Sequence, residues 1–210
     1  MGERTGNLSR GESIGIFMIV LLGLVTILVT PAGPTLASMK STPLAATRIP
    51  FRTAAGPCVD KAKRYNDCGN GTITDSVTGL IWLKQADCLA TKDWETAKKA
   101  AASLKNGDCM LTDGSAPGDW RLPTQAEWEA TMKNALALGC TGPTLTNDAG
   151  TGCMSAGPSS FTGVESDYYW SSTTVEGNQR AYFGDLDHGH LLNGNLFNTL
   201  RVWPVRGGKP

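Results

Sequence analysis

From Ile14 to Thr30 the chain is apolar and carries no charge. Arg4 and Arg10 precede this run, and "TPAGPTLAS" follows it, with Thr35 and Ala37 at the small-residue spacing a signal peptidase accepts. The pattern predicts a secretory signal over residues 1–37, cut near Ala37. An uncleaved membrane anchor is the alternative, because 17 residues is the short edge for a spanning helix. Pro31, Gly33 and Pro34 directly after the run favour cleavage. Residues 38–57 show no period and are rich in Ser, Thr, Ala and Pro, which is a linker composition. The domain is expected over residues 58–208.

Beyond the linker the period changes twice. Residues 64–84, "RYNDCGNGTITDSVTGLIWLK", read as short strands and tight turns. Asn70-Gly71 is the strongest hairpin signal, since both residues tolerate positive φ. Thr78-Gly79 makes a second turn before Leu80-Ile81-Trp82-Leu83, an apolar strand expected to be buried on both faces. Residues 93–104 then switch to a helical period. Asp93 suits the N-cap, and Trp94, Ala97, Ala101 and Leu104 share one face. "CMLTDGSAPGDWRLPT" has no period and reads as a compact loop. Thr124 and Glu127 form a capping box, so a second helix is expected from Thr124 to about Leu138, with Trp128, Met132, Ala135 and Leu136 as its buried stripe. Residues 139–167 are glycine-rich loop. From Tyr168 the chain returns to strands, "YYWSSTT", "RAYFGDL" and "LRVWPVRGG", separated by polar turns "VEGNQ" and "DHGHLLNGN". This reads as an antiparallel meander. Segregated strands and helices indicate an α+β fold with an antiparallel sheet.

Charge narrows the partners. Lys and Arg number 19 and so do Asp and Glu, so no basic excess points to nucleic acid, which is not expected as a partner. A membrane is expected only through the N-terminal segment if that segment is not cleaved. Six cysteines, Cys58, Cys68, Cys88, Cys109, Cys140 and Cys153, all lie beyond the signal. An even count in an exported domain implies disulfides. Sequential pairing, 58 with 68, 88 with 109 and 140 with 153, is expected because each pair brackets one local segment. No metal or other cofactor is expected. The cysteines lack C-x-x-C spacing, His188 and His190 are the only histidines, and two ligands are too few. Asp67, Asn70 and Asp75 lack the pattern of a calcium loop.

Four blocks carry a resemblance: "RYNDCGNGTITDSVTGLIWLK", "CMLTDGSAPGDWRLPTQAEWEA", "YYWSSTT" and "RVWPVRGG". In order and spacing they resemble the Lcl C-terminal domain family, typified by the C-terminus of the Legionella collagen-like adhesin. "RLPTQAEWE" is also similar to the sulfatase-modifying domain of formylglycine-generating enzymes. Both resemblances imply a C-type-lectin-like fold, with two helices on a small twisted antiparallel sheet and long disulfide-tied loops. The best-known member of the first family is a surface adhesin that binds sulfated glycosaminoglycans. This chain departs from it by having neither a collagen-like Gly-X-Y region nor a basic bias.

The resemblance implies an exported, non-enzymatic binding module for a carbohydrate or protein ligand, periplasmic or at the cell surface. The binding positions would lie between Tyr168 and Asn195. Arg180 and Tyr182 offer a cation and an aromatic ring. Asp185, Asp187, His188 and His190 offer titratable groups, and Asn193 and Asn195 offer amides; all are read as lying in or beside turns. Rings stack on sugars and amides pair with hydroxyls. The lectin calcium motifs Glu-Pro-Asn and Trp-Asn-Asp are absent. The second reading is a structural or assembly component of the envelope or a pilus. The third is an enzyme related to formylglycine generation, which would need a late pair of reactive cysteines; none follows Cys153. Asp119, Trp120, Arg121, Thr124 and Glu127 are assigned to the scaffold, with Arg121 expected to be largely buried among hydrogen-bond partners.

Overall fold

Leu80–Leu83, apolar at every position, is buried at every position and has a sheet neighbour on each side. A computed structural model describes residues 53–208 around this strand. The expected signal, residues 1–37, and all but the end of the linker lie outside the described residues. Among the described residues no helix is long and apolar enough to cross a membrane.

In chain order the elements are β1 (Tyr65–Asp67), β2 (Thr72–Asp75), β3 (Leu80–Leu83), β4 (Thr91–Lys92), α1 (Trp94–Ser103), α2 (Gln125–Ala137), β5 (Tyr168–Thr174), β6 (Arg180–Asp185), β7 (His190–Asn195), β8 (Leu200–Arg201) and β9 (Val205–Gly207). A single 3-10 turn, Met154–Ala156, interrupts the long loop before β5. The fold is α+β, as the segregated pattern predicts. The strands form two sheets rather than one: β1-β2-β3-β9 and β4-β8-β5-β6-β7. The strand-to-strand pairings are antiparallel except the parallel bridge between Tyr169 and Arg201, and an isolated parallel bridge joins Gln85 to Thr162. "LRVWPVRGG" is therefore not the last strand of a meander. Pro204 cannot donate to a ladder, so β8 ends before it and β9 begins after it in the other sheet.

Two turns also differ from expectation. Asn70-Gly71 is not a two-residue turn: positive φ falls on Gly69 (69°) and Gly71 (83°). The Asn70 Oδ1 accepts from the Thr72 N–H at 3.2 Å instead. The disulfide at Cys68 and the Cys68 N–H to Thr72 C=O bond set the longer loop. "HLLNGN" is strand β7, not turn. The Asp185 carboxylate accepts from the backbone N–H groups of Asp187 and His188, which tightens the connection to residues 186–189. Gly189, at φ 74°, closes it.

Both helices begin where the caps place them. The Asp93 side chain accepts from Thr96 N–H, and the Thr124–Glu127 capping box is complete. The helices cover opposite faces of the five-stranded sheet. Trp94, Ala97 and Ala101 of α1 pack with Trp170, Ala181 and Phe183. Trp128 of α2 lies over Gly184, where a Cβ would stand 3.1 Å from the indole. The buried residues of α2 are Trp128, Thr131, Met132 and Ala135. Leu136, expected among them, is 45 % exposed. At 100° per residue it falls at the edge of the stripe, and Thr131 takes the inner place.

The main core lies between the sheets. The Trp203 ring sits 4.8 Å from Trp82, 5.0 Å from Phe161, 5.7 Å from Tyr169 and 6.1 Å from Trp128. Three disulfides tie the loops around it, Cys58–Cys68, Cys88–Cys109 and Cys140–Cys153, in the sequential pairing expected. The Cys58–Cys68 loop is the shortest, at a separation of 10. The Cys58→Ser/Cys68→Ser double variant should lose about 2–3 kcal/mol by the chain-entropy argument. Thermal melts check this, and an unchanged midpoint would contradict it.

Candidate functional site

Strands β6 and β7 decide where the candidate residues point. Their register pairs Arg180 with Asn195, Tyr182 with Asn193 and Gly184 with Leu191. Side chains alternate along a strand and paired residues share a face. Ala181 and Phe183 turn into the core beside α1. Arg180, Tyr182, Asn193 and Asn195 therefore turn to the α2 face, beyond the region that α2 covers. Four of the eight candidates thus form one polar face on two adjacent strands, with a single aromatic ring among them.

Hydrogen bonds leave this face rich in donors. Arg180 Nε donates to Asn193 Oδ1 at 2.7 Å, and Nη2 donates to the Asn193 C=O at 2.8 Å. That carbonyl lies in the edge strand of the sheet, so Arg180 both fixes Asn193 and occupies an edge acceptor. Asn195 Oδ1 accepts from the Phe197 N–H. Both amide oxygens are thereby used. The Arg180 Nη1 and the two amide nitrogens keep donors without protein partners among the described residues. They suit a ligand presenting oxygen acceptors.

The remaining four candidates do not join them. Asp185 and His190 alternate to the opposite face, and Asp187 and His188 lie in the β6–β7 turn. Asp185 is buried and structural: besides its backbone bonds it contacts His188 Nδ1 at 3.1 Å. His188 also lies 3.5 Å from Asp187 and stacks on His190 with centroids 6.2 Å apart. Among the described residues no group of three or more His, Cys, Asp or Glu side chains is placed to hold a metal ion.

Two features escape the sequence reading. A groove of about 280 Å³ opens between α2 and β7, lined by Glu129, Met132, Leu136, Gly189, His190 and Leu191. Its signal was Leu136, an apolar residue at the edge of a helix stripe. On the other face, Tyr168 packs edge-on to Phe183 at 5.1 Å, and Leu192 pairs with Phe183 across the sheet. Tyr168 and Leu192 are each about two-fifths exposed.

The scaffold residues hold the joint before α2. Trp120 is buried under the Arg206 guanidinium, 5.2 Å from its ring. Asp119 caps its own turn, accepting from the Ala116 N–H. Arg121 is not largely buried; its side chain is 41 % exposed. Its partners are nonetheless structural: both Glu127 oxygens, at 2.7 and 2.6 Å, and the C=O groups of Leu122 and Gly207. The guanidinium reaches the surface because Glu127, which it must meet, stands in the exposed first turn of α2.

Burial alone would raise the Glu127 carboxyl. Hydrogen bonds from Arg121 and from the Thr124 N–H, with the Arg121 charge, outweigh that and hold it below its ordinary value of 4.5. A depressed folded value gives stability that is full above 4.5 and lost as pH falls through the folded value. Arg121→Ala should cost about 1 kcal/mol at neutral pH, the range of a part-exposed bidentate pair. It should also flatten the acid limb of the pH–stability curve below 4.5 and leave ligand affinity unchanged. Urea titrations across pH measure this; loss of binding without loss of stability would contradict it.

A family model for the Lcl C-terminal domain matches residues 71–206. No curated protein matches the chain. The family and the three disulfides are consistent with an exported domain.

Proposed function

Because the chain belongs to the Lcl C-terminal domain family, we propose that it is an exported, non-enzymatic module that binds carbohydrate at the bacterial envelope or surface. The observation that carries this reading is the convergence of Arg180, Tyr182, Asn193 and Asn195 on one uncovered sheet face. A tyrosine ring offers a stacking surface for a sugar, and the three unused donors meet hydroxyl and ring oxygens. The residues sit on paired strands rather than on a loop, which preorganises them.

A glycan array probed with the full chain, with calcium and with chelator, tests the proposal. Binding should be calcium-independent. It should fall at least tenfold in Tyr182→Ala and Asn193→Ala, whose melting points should stay near wild type. Absence of binding to every sugar would sink it. A second reading has its own support: the half-exposed Tyr168 and Leu192 beside Phe183 suit a protein contact, as an assembly component would need. Leu192→Asp would then break assembly while sparing sugar binding.

A further inference from the structure

Leu191 and Asn193 are two residues apart on β7 and share a face, so the α2–β7 groove and the polar face adjoin. Their spacing along the strand is about 7 Å, the repeat of alternate residues. The groove differs from the face in chemistry. Met132, Leu136 and Leu191 give it an apolar lining. Leu136 packs close over Gly189: a Cβ there would fall 2.9 Å from Leu136 Cγ and 2.8 Å from Thr144 Cγ2. Glu129 stands in the lining and forms no ion pair among the described residues. An ionised carboxylate accepts and cannot donate.

Resting on the carbohydrate-binding reading, we infer that this groove is a subsite for the acetamido group of an N-acetylated amino sugar whose ring lies on the Tyr182 face. The groove asks for two things at once: a small apolar group and an N–H donor. An acetamido group supplies both, with its methyl against Met132, Leu136 and Leu191 and its N–H toward Glu129. Its carbonyl accepts from the donor-rich face at Asn193. A plain hexose offers no methyl. A free amino sugar offers Glu129 a charged donor but brings no methyl to Met132, Leu136 and Leu191, so the apolar lining is what separates it from the acetylated form. At about 280 Å³ the groove stands at the small end of ligand pockets and has room for such a substituent.

Calorimetric titration of the full chain with three oligomers of equal length tests the assignment: β-1,4-linked N-acetylglucosamine, its deacetylated form and β-1,4-linked glucose. The acetylated oligomer should bind at least about tenfold tighter, the effect of one well-seated methyl. Leu136→Ser should bring it to the level of the glucose oligomer with an unchanged melting point. Tyr182→Ala should weaken all three. Equal affinity for the three oligomers, or no effect of Leu136→Ser, overturns the subsite and leaves the binding face standing. No binding of any oligomer, together with a blank glycan array, overturns both.

Discussion

Asp75→Ala is expected to lower the unfolding free energy by about 3–5 kcal/mol, the cost of leaving a buried charge unpaired. The Arg64 side chain is 2 % exposed and Asp75 fully buried. Asp75 accepts from Arg64 Nε and Nη2, and also from the backbone N–H groups of Val77 and Thr78. The same Arg64 Nη2 donates to the Thr131 C=O in α2 at 2.9 Å. One ion pair therefore joins the β2–β3 turn, the start of β1 and the second helix. Removing the carboxylate strands the guanidinium and frees two turn donors. Replacing both partners, as in Arg64→Met/Asp75→Leu, should recover much of the loss, because no uncompensated charge remains. Urea unfolding reads both variants. A loss below 1 kcal/mol for Asp75→Ala would show that the pair is not the clamp described.

Trp203→Ala should cost a similar amount, about 3–5 kcal/mol, through lost burial and a cavity that cannot close. Trp203 touches both sheets' aromatic groups: Trp82 on β3, Tyr169 on β5, Phe161 in the long loop and Trp128 on α2. Its Nε1 also donates to the Leu83 C=O at 2.7 Å, so the backbone of β3 loses a partner too. Trp203→Phe keeps part of the ring contacts and should fall between alanine and wild type. Circular dichroism in the near ultraviolet should collapse for alanine, since tryptophans packed against one another give that signal its strength. A near-native near-ultraviolet spectrum with an unshifted melting point would contradict a core centred on this residue.

Local chemistry was legible from sequence, and long-range placement was not. The Asp93 cap and the Thr124–Glu127 box read directly because their partners lie three residues away. The disulfides read because each brackets one segment. The division into two sheets did not, since it depends on where β8 and β9 find partners more than a hundred residues upstream, at Thr91 and Leu80. Arg121 was expected to be largely buried, and its exposure depended on the position of Glu127 in α2. "HLLNGN" read as a turn because Asn and Gly dominate it. In the fold the segment is a strand because it pairs along its length with β6, and Gly194 is there because a Cβ would crowd the Asn198 amide and stand 3.1 Å from the Phe183 ring. That correction turns Asn193 and Asn195 from loop residues into a register-fixed pair opposite Tyr182 and Arg180. It also sorts the eight candidates into four on one face, two on the other and two in the β6–β7 turn, which composition alone could not do.

The claim that this face binds the ligand is tested most directly by nuclear magnetic resonance titration of the isotope-labelled chain with a sugar positive on the array. The account predicts that shifts concentrate on Arg180, Tyr182, Asn193 and Asn195, extend to Leu136 and Leu191 for an acetylated sugar, and spare Tyr168 and Leu192. Shifts confined to Tyr168, Phe183 and Leu192, with none at Tyr182 or Asn193, would contradict it.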